Sequence, residues 1–193
     1  MAIKLRRGFK TDAERVAVAI REELGISPTS PLNCLDLCDQ WGIPVISISE
    51  LIDTGASQQS IRCLQSSNAK FSAMTIAAGM KRLIVYNPHH PEGRRANSLA
   101  HELSHILLEH PLSPALGAGG CRRWDDVLES EADWQAGTLL VPREAALAWM
   151  QFKGSIEDGA RNYGVSLSLF RWRVHQTGVL KQLQARKNFY GRP

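Results

Sequence analysis

No apolar run in the chain approaches the ~18 residues that a transmembrane helix needs, so none is expected among the 193 residues. The start, Met1-Ala2-Ile3-Lys4-Leu5-Arg6-Arg7-Gly8, is basic. No continuous apolar segment follows it, so it does not read as a secretion signal. Internal repeats and low-complexity segments are absent too. These absences exclude a membrane partner as the first expectation and make the cytoplasm the default location. Cysteine is scarce: Cys34, Cys38, Cys63 and Cys121 are the only four. A disulfide framework is not expected in the cytosol. Cys34 and Cys38 share a helix face and could suggest a metal pair. Their neighbours Leu32, Leu35 and Leu37 instead read as core, so the pair is expected to be buried thiols.

What is present is ordinary for a globular chain, with 44% apolar and 22% charged residues. The net charge of +4 and the pI near 9.0 permit a nucleic-acid partner without requiring one. The excess sits partly at the ends, in Lys4, Arg6, Arg7 and Lys10 and in Lys181, Arg186, Lys187 and Arg192.

The fold class expected is α+β and mainly helical. Thr11 to Glu14 reads as a capping box opening a first helix, with Ala13, Val16, Ala17, Ile20 and Leu24 on its buried stripe and Gly25 at its end. A second helix is expected from about Asn33 to Trp41, stopped by Gly42. Ile43 to Ile48 reads as a strand, with Pro44 marking an edge or an entry position. A second strand over Ile61-Arg62-Cys63-Leu64 is expected next. Residues 71–76 and 81–86 then form a hairpin about Gly79, so a small antiparallel sheet precedes the central helix. The domain reading is 11–150 as one catalytic-type domain, with 151–185 as a C-terminal helix-turn-helix-like segment packed on it. In that segment Arg171 and Arg173 could read DNA, while Leu169, Trp172 and Val174 look like packing residues.

The most informative stretch is His101-Glu102-Leu103-Ser104-His105. Helix residues four apart share a face, so two imidazoles can hold one divalent cation without bending the backbone. Glu102 projects beside the cation and can take a proton from its water. Leu99, Ala100, Leu103, Ile106 and Leu107 make this helix largely buried, where His, Glu and His would be costly unless paired or metal-bound. A third ligand is expected from a second helix, over Glu129-Ser130-Glu131-Ala132-Asp133 and onward, capped by Asp125 or Asp126 and ended by Pro142. Glu129 and Asp133 share a face, so Glu129 suits the cation and Asp133 suits a ring nitrogen of His101 or His105. Glu131 lies roughly 200° away around the helix at about 100° per residue. Both glutamates cannot ligate from a regular helix, and Glu129 is preferred over Glu131.

Ala100-His101-Glu102-Leu103-Ser104-His105-Ile106-Leu107-Leu108, then Glu129-x-Glu131-Ala132-Asp133 and Leu139-Leu140-Val141-Pro142, resembles the ImmA/IrrE family of metallopeptidases. Ser104 stands where Gly is usual, Trp134-Gln135-Ala136 where a Phe-Ala pair is usual, and Val141 where Met is usual; none of these removes a ligand. The opening helices and the strand after Gly42 resemble the family as well. The resemblance implies a zincin-like fold and a gluzincin-like zinc endopeptidase, with manganese also possible at a His/His/Glu site. It implies His101, His105 and Glu129 as metal ligands and Glu102 as the base. An edge strand beside the metal would pair with the substrate backbone, and Ala73, Met74 and Thr75 are the candidates. The implied substrate is a helix-turn-helix repressor or an antitoxin-like partner. Direct DNA binding, or a non-catalytic metal-stabilised regulator, is the alternative.

Overall fold

The structure is a computed structural model and describes residues 5–52, 71–111, 125–152 and 154–190. The strand expected at 61–64 lies outside the described residues. The fold is α+β and mainly helical, and it divides into two compact units, Met1–Arg6 with Asn33–Ala136 and Arg7–Leu32 with Gly137–Pro193.

In the first unit, helix α2 (Cys34–Gln40) starts at Asn33, whose side chain accepts from the backbone N–H of Leu35. Gly42, at φ 62°, lets the chain reverse so that the Ile43 N–H reaches the Cys38 carbonyl at 2.8 Å. Cys34 and Cys38 are buried, and burial pushes the Cys38 thiol up to about 11. Strands β1 (Val45–Ser47), β2 (Ala73–Ala78) and β3 (Lys81–Tyr86) lie in the order β1-β3-β2. The β2–β3 hairpin is antiparallel, as expected, with Thr75 opposite Ile84, and Gly79 turns it at φ 60°. β1, however, runs parallel to β3, so the sheet is mixed rather than wholly antiparallel. Met74, Ile76 and Leu83 pack on a cluster of Ile48, Leu51 and Val85. Side chains alternate along a strand, so Thr75 and Ile84 belong to the other face of the sheet. Helix α3 (Glu92–Leu107) buries Leu99, Ala100 and Leu103. Helix α4 (Asp126–Leu140) is capped by Asp125, whose carboxylate accepts from the Val127 N–H at 2.9 Å.

In the second unit, helix α1 (Phe9–Glu23) begins two residues before the expected capping box, at a left-handed Gly8 with no side-chain cap. Glu14 is drawn elsewhere. It accepts from the Arg173 guanidinium at 2.5 Å and from the Arg143 backbone N–H at 2.8 Å. Helices α5 (Arg143–Phe152), α6 (Ile156–Asn162), α7 (Leu167–Gln176) and α8 (Val179–Tyr190) follow. Ser155 and Ser166 cap α6 and α7, and Gly164, at φ 61°, turns between them. Gly159 lies so close to the Phe170 ring that a Cβ would clash with it. Arg173 is fully buried and also donates to the Val141 carbonyl at 2.8 Å. Of the two arginines considered for base reading, Arg173 is therefore part of the core. No described helix is long and apolar enough to cross a membrane.

Candidate metal centre

The i, i+4 spacing on α3 turns both imidazoles to one side, and their Nε2 atoms lie 3.0 Å apart. Glu129, from the first turn of α4, brings its Oε2 to 3.2 Å from His101 Nε2 and 3.6 Å from His105 Nε2. Donors held at about 2.0–2.1 Å from a tetrahedral ion stand about 3.3 Å from one another. The three spacings bracket that edge length, so two neutral imidazoles and a carboxylate fit one divalent cation and leave a fourth position for water. Among the described residues this trio is a group able to hold a metal ion.

The surroundings agree with that donor set. His101 Nδ1 lies 2.9 Å from Asp133 Oδ1, so its N–H donates outward and Nε2 keeps its lone pair for the cluster. Burial alone would lower the His101 pKa. The Asp133 hydrogen bond and the charges of Asp133, Glu102 and Glu129 outweigh it and raise the value above the usual 6.5. Glu102 is 3% exposed and Glu129 8%. Two carboxylates that deep are costly unless a cation or donors offset them. Thr75, on β2, supplies one donor to Glu102: its hydroxyl reaches Oε2 at 2.7 Å.

The positions singled out in the sequence thus separate. His101, His105 and Glu129 converge, Glu102 lies beside them, and Asp133 backs His101. Glu131 is not in the trio; its Oε2 faces His110 Nε2 at 3.5 Å. Thr75 meets the site through its hydroxyl, whereas the Met74 side chain packs into the sheet's other face. Ala73 stands opposite Tyr86 in the hairpin register. Strand alternation marks Thr75 for the substrate edge but carries no signal of its hydrogen bond to Glu102. Nor does any local pattern signal His110, whose Nδ1 lies 3.0 Å from His105 Nδ1.

The family model of the IrrE N-terminal-like domain, Peptidase_M78, matches residues 38–175. No curated protein matches the chain. Among solved structures, a Mycobacterium tuberculosis transcriptional regulator is similar, with 18% identity and a TM-score of 0.49. The match covers 86% of this chain and 46% of that one, so the chain spans about half the length of that protein.

Proposed function

The chain belongs to the Peptidase_M78 family of IrrE N-terminal-like domains, and from that premise we propose that it is a zinc-dependent endopeptidase, with manganese a second compatible metal. The observation that carries the reading is the meeting of His101 Nε2, His105 Nε2 and Glu129 Oε2 at tetrahedral-edge spacings, with a buried glutamate alongside. A divalent cation held there supplies Lewis acidity to a water and to the scissile carbonyl. Glu102 takes the proton from the attacking water and passes it to the leaving amine. Thr75 fixes the plane of that carboxylate by donating to Oε2. Asp133 holds the His101 ring in register and keeps its proton on Nδ1.

The substrate presents an extended backbone. Among the described residues β2 pairs only with β3; backbone groups alternate sides along a strand, so those of Ala73 and Thr75 turn to its outer edge while those of Met74, which lies between them, turn to β3. The family resemblance supports a helix-turn-helix repressor or an antitoxin-like protein as the target, met in the cytoplasm.

Replacing Glu102→Gln tests the proposal. The variant should bind one equivalent of zinc like the parent, while cleavage of a co-expressed repressor falls by about 10²–10⁴-fold, the usual contribution of a positioned base. Undiminished cleavage by the variant, measured by the appearance of repressor fragments, would remove Glu102 from the chemistry.

A further inference from the structure

His105 sits on the last turn of α3, and the way that helix ends decides what lies behind its ring. Leu108 is the C-cap, and Glu109 follows in the left-handed region at φ 52°. The Glu109 N–H returns to the Ile106 carbonyl at 3.1 Å and the His110 N–H to the His105 carbonyl at 3.0 Å. These two bonds are those of a Schellman termination, which places the side chain two residues past the cap against the side chain at the start of the last turn. Both positions are usually apolar. Here both are imidazoles, with ring centroids 5.1 Å apart and Nδ1 atoms 3.0 Å apart.

A left-handed backbone at a residue other than glycine costs about 1–2 kcal/mol, and Glu109 is the one such residue described. Both rings are buried, with side chains 4% and 5% exposed. On the far side of His110, Nε2 faces Glu131 Oε2 at 3.5 Å, a carboxylate that is 13% exposed. That distance is long for a hydrogen bond but close for a buried charge acting on an N–H dipole.

We infer that His110 and Glu131 form a positioning relay that sets the proton of His105, so that its Nε2 is presented bare to the metal. The inference rests on the metal-peptidase reading of the site. Two Nδ1 atoms at 3.0 Å require one proton between them. A ligating His105 has its proton on Nδ1, so it donates and His110 Nδ1 accepts. The His110 proton then belongs on Nε2, where the Glu131 carboxylate attracts it. Each imidazole ligand is thereby backed by a carboxylate. Asp133 acts on His101 directly, and Glu131 acts on His105 through an intervening ring. An outer partner that fixes ligand orientation typically matters by 10–100-fold in metal affinity.

The test is a zinc titration against a chromophoric chelator, run on the full chain and on four variants, each checked for folding by circular dichroism. His110→Ala should weaken zinc by about 10–100-fold. His110→Asn, whose amide oxygen can stand at the acceptor position of Nδ1, should recover most of that loss, and Glu131→Gln should fall between. His101→Ala should abolish stoichiometric binding. In the zinc-loaded parent, long-range ¹⁵N–¹H spectra of the histidines should show His105 protonated at Nδ1 and metal-bound at Nε2. Parental affinity in His110→Ala, or in Glu131→Gln should His110→Ala not fold, overturns the relay while leaving the metal site intact. A His105 ligating through Nδ1 does the same. A parent that binds no zinc overturns the metal reading itself, and the relay with it.

Discussion

At His101 two influences oppose each other: burial resists the imidazolium, and Asp133, Glu102 and Glu129 favour it strongly enough to raise the pKa above 6.5. In the metal-free protein the folded state therefore holds this proton more tightly than the unfolded chain does. The resulting stabilisation is fully present below about pH 6.5 and is lost as pH rises through the higher folded-state value. Asp133 is 72% exposed, so solvent screening keeps the effect below ~1 kcal/mol. The melting temperatures of metal-free parent and Asp133→Asn should accordingly differ most near pH 6 and converge toward pH 8. A difference that does not vary with pH would mean that Asp133 does not hold the His101 proton. Bound metal reverses the sign, because protons then compete for Nε2 and acid releases the ion. At this scale the pair of histidines and Glu102 could be read from spacing, since one helix turn positions them. His110 could not, because its contact depends on a left-handed turn at a glutamate, where glycine is the expected residue.

Helix ends show where local pattern and tertiary contact part company. Thr11 and Glu14 have the spacing of a capping box, yet α1 starts at Phe9 and Glu14 is held by Arg173, 159 residues away. A buried guanidinium needs an acceptor more than an exposed helix end needs a cap, because the unmet desolvation of a charge is the larger penalty. Asn33, Asp125, Ser155 and Ser166 face no such rival and act as caps. The end of α3 offers a direct measurement. Glu109→Gly relieves the left-handed strain and should raise the stability of the metal-free protein by about 1 kcal/mol, read from the midpoint of urea unfolding. A destabilised variant would show that contacts of the Glu109 side chain outweigh the strain. The sheet carries the same lesson: the hairpin about Gly79 follows from alternation and a turn residue, whereas the parallel pairing of β1 joins segments some forty positions apart in sequence (Val45 with Ile84) and leaves no local trace.

For the molecule as a whole, the metal is expected to act as a ligand of the folded state alone. At 100 times its Kd, zinc should add about 2.7 kcal/mol to stability, visible as a higher melting temperature that a chelator abolishes. The gain should persist in Glu102→Gln and vanish in His101→Ala. An unchanged melting temperature on adding zinc to the parent would leave the trio as a buried polar cluster and no more.

The amino-acid sequence alone determined the helical character, the hairpin and the His-Glu-x-x-His face, because each is set by contacts within one turn or one strand pair. It also narrowed the candidate for a third ligand to one of two glutamates by their separation on a helix. Only the tertiary structure decided the rest. The relative rotation of α3 and α4 brought Glu129 to the two imidazoles and Glu131 to His110. The strand face set Thr75 on Glu102 and Met74 in the opposite core. The physical reason is range: periodicity reports which side of an element a residue occupies, but not which side of another element will stand against it.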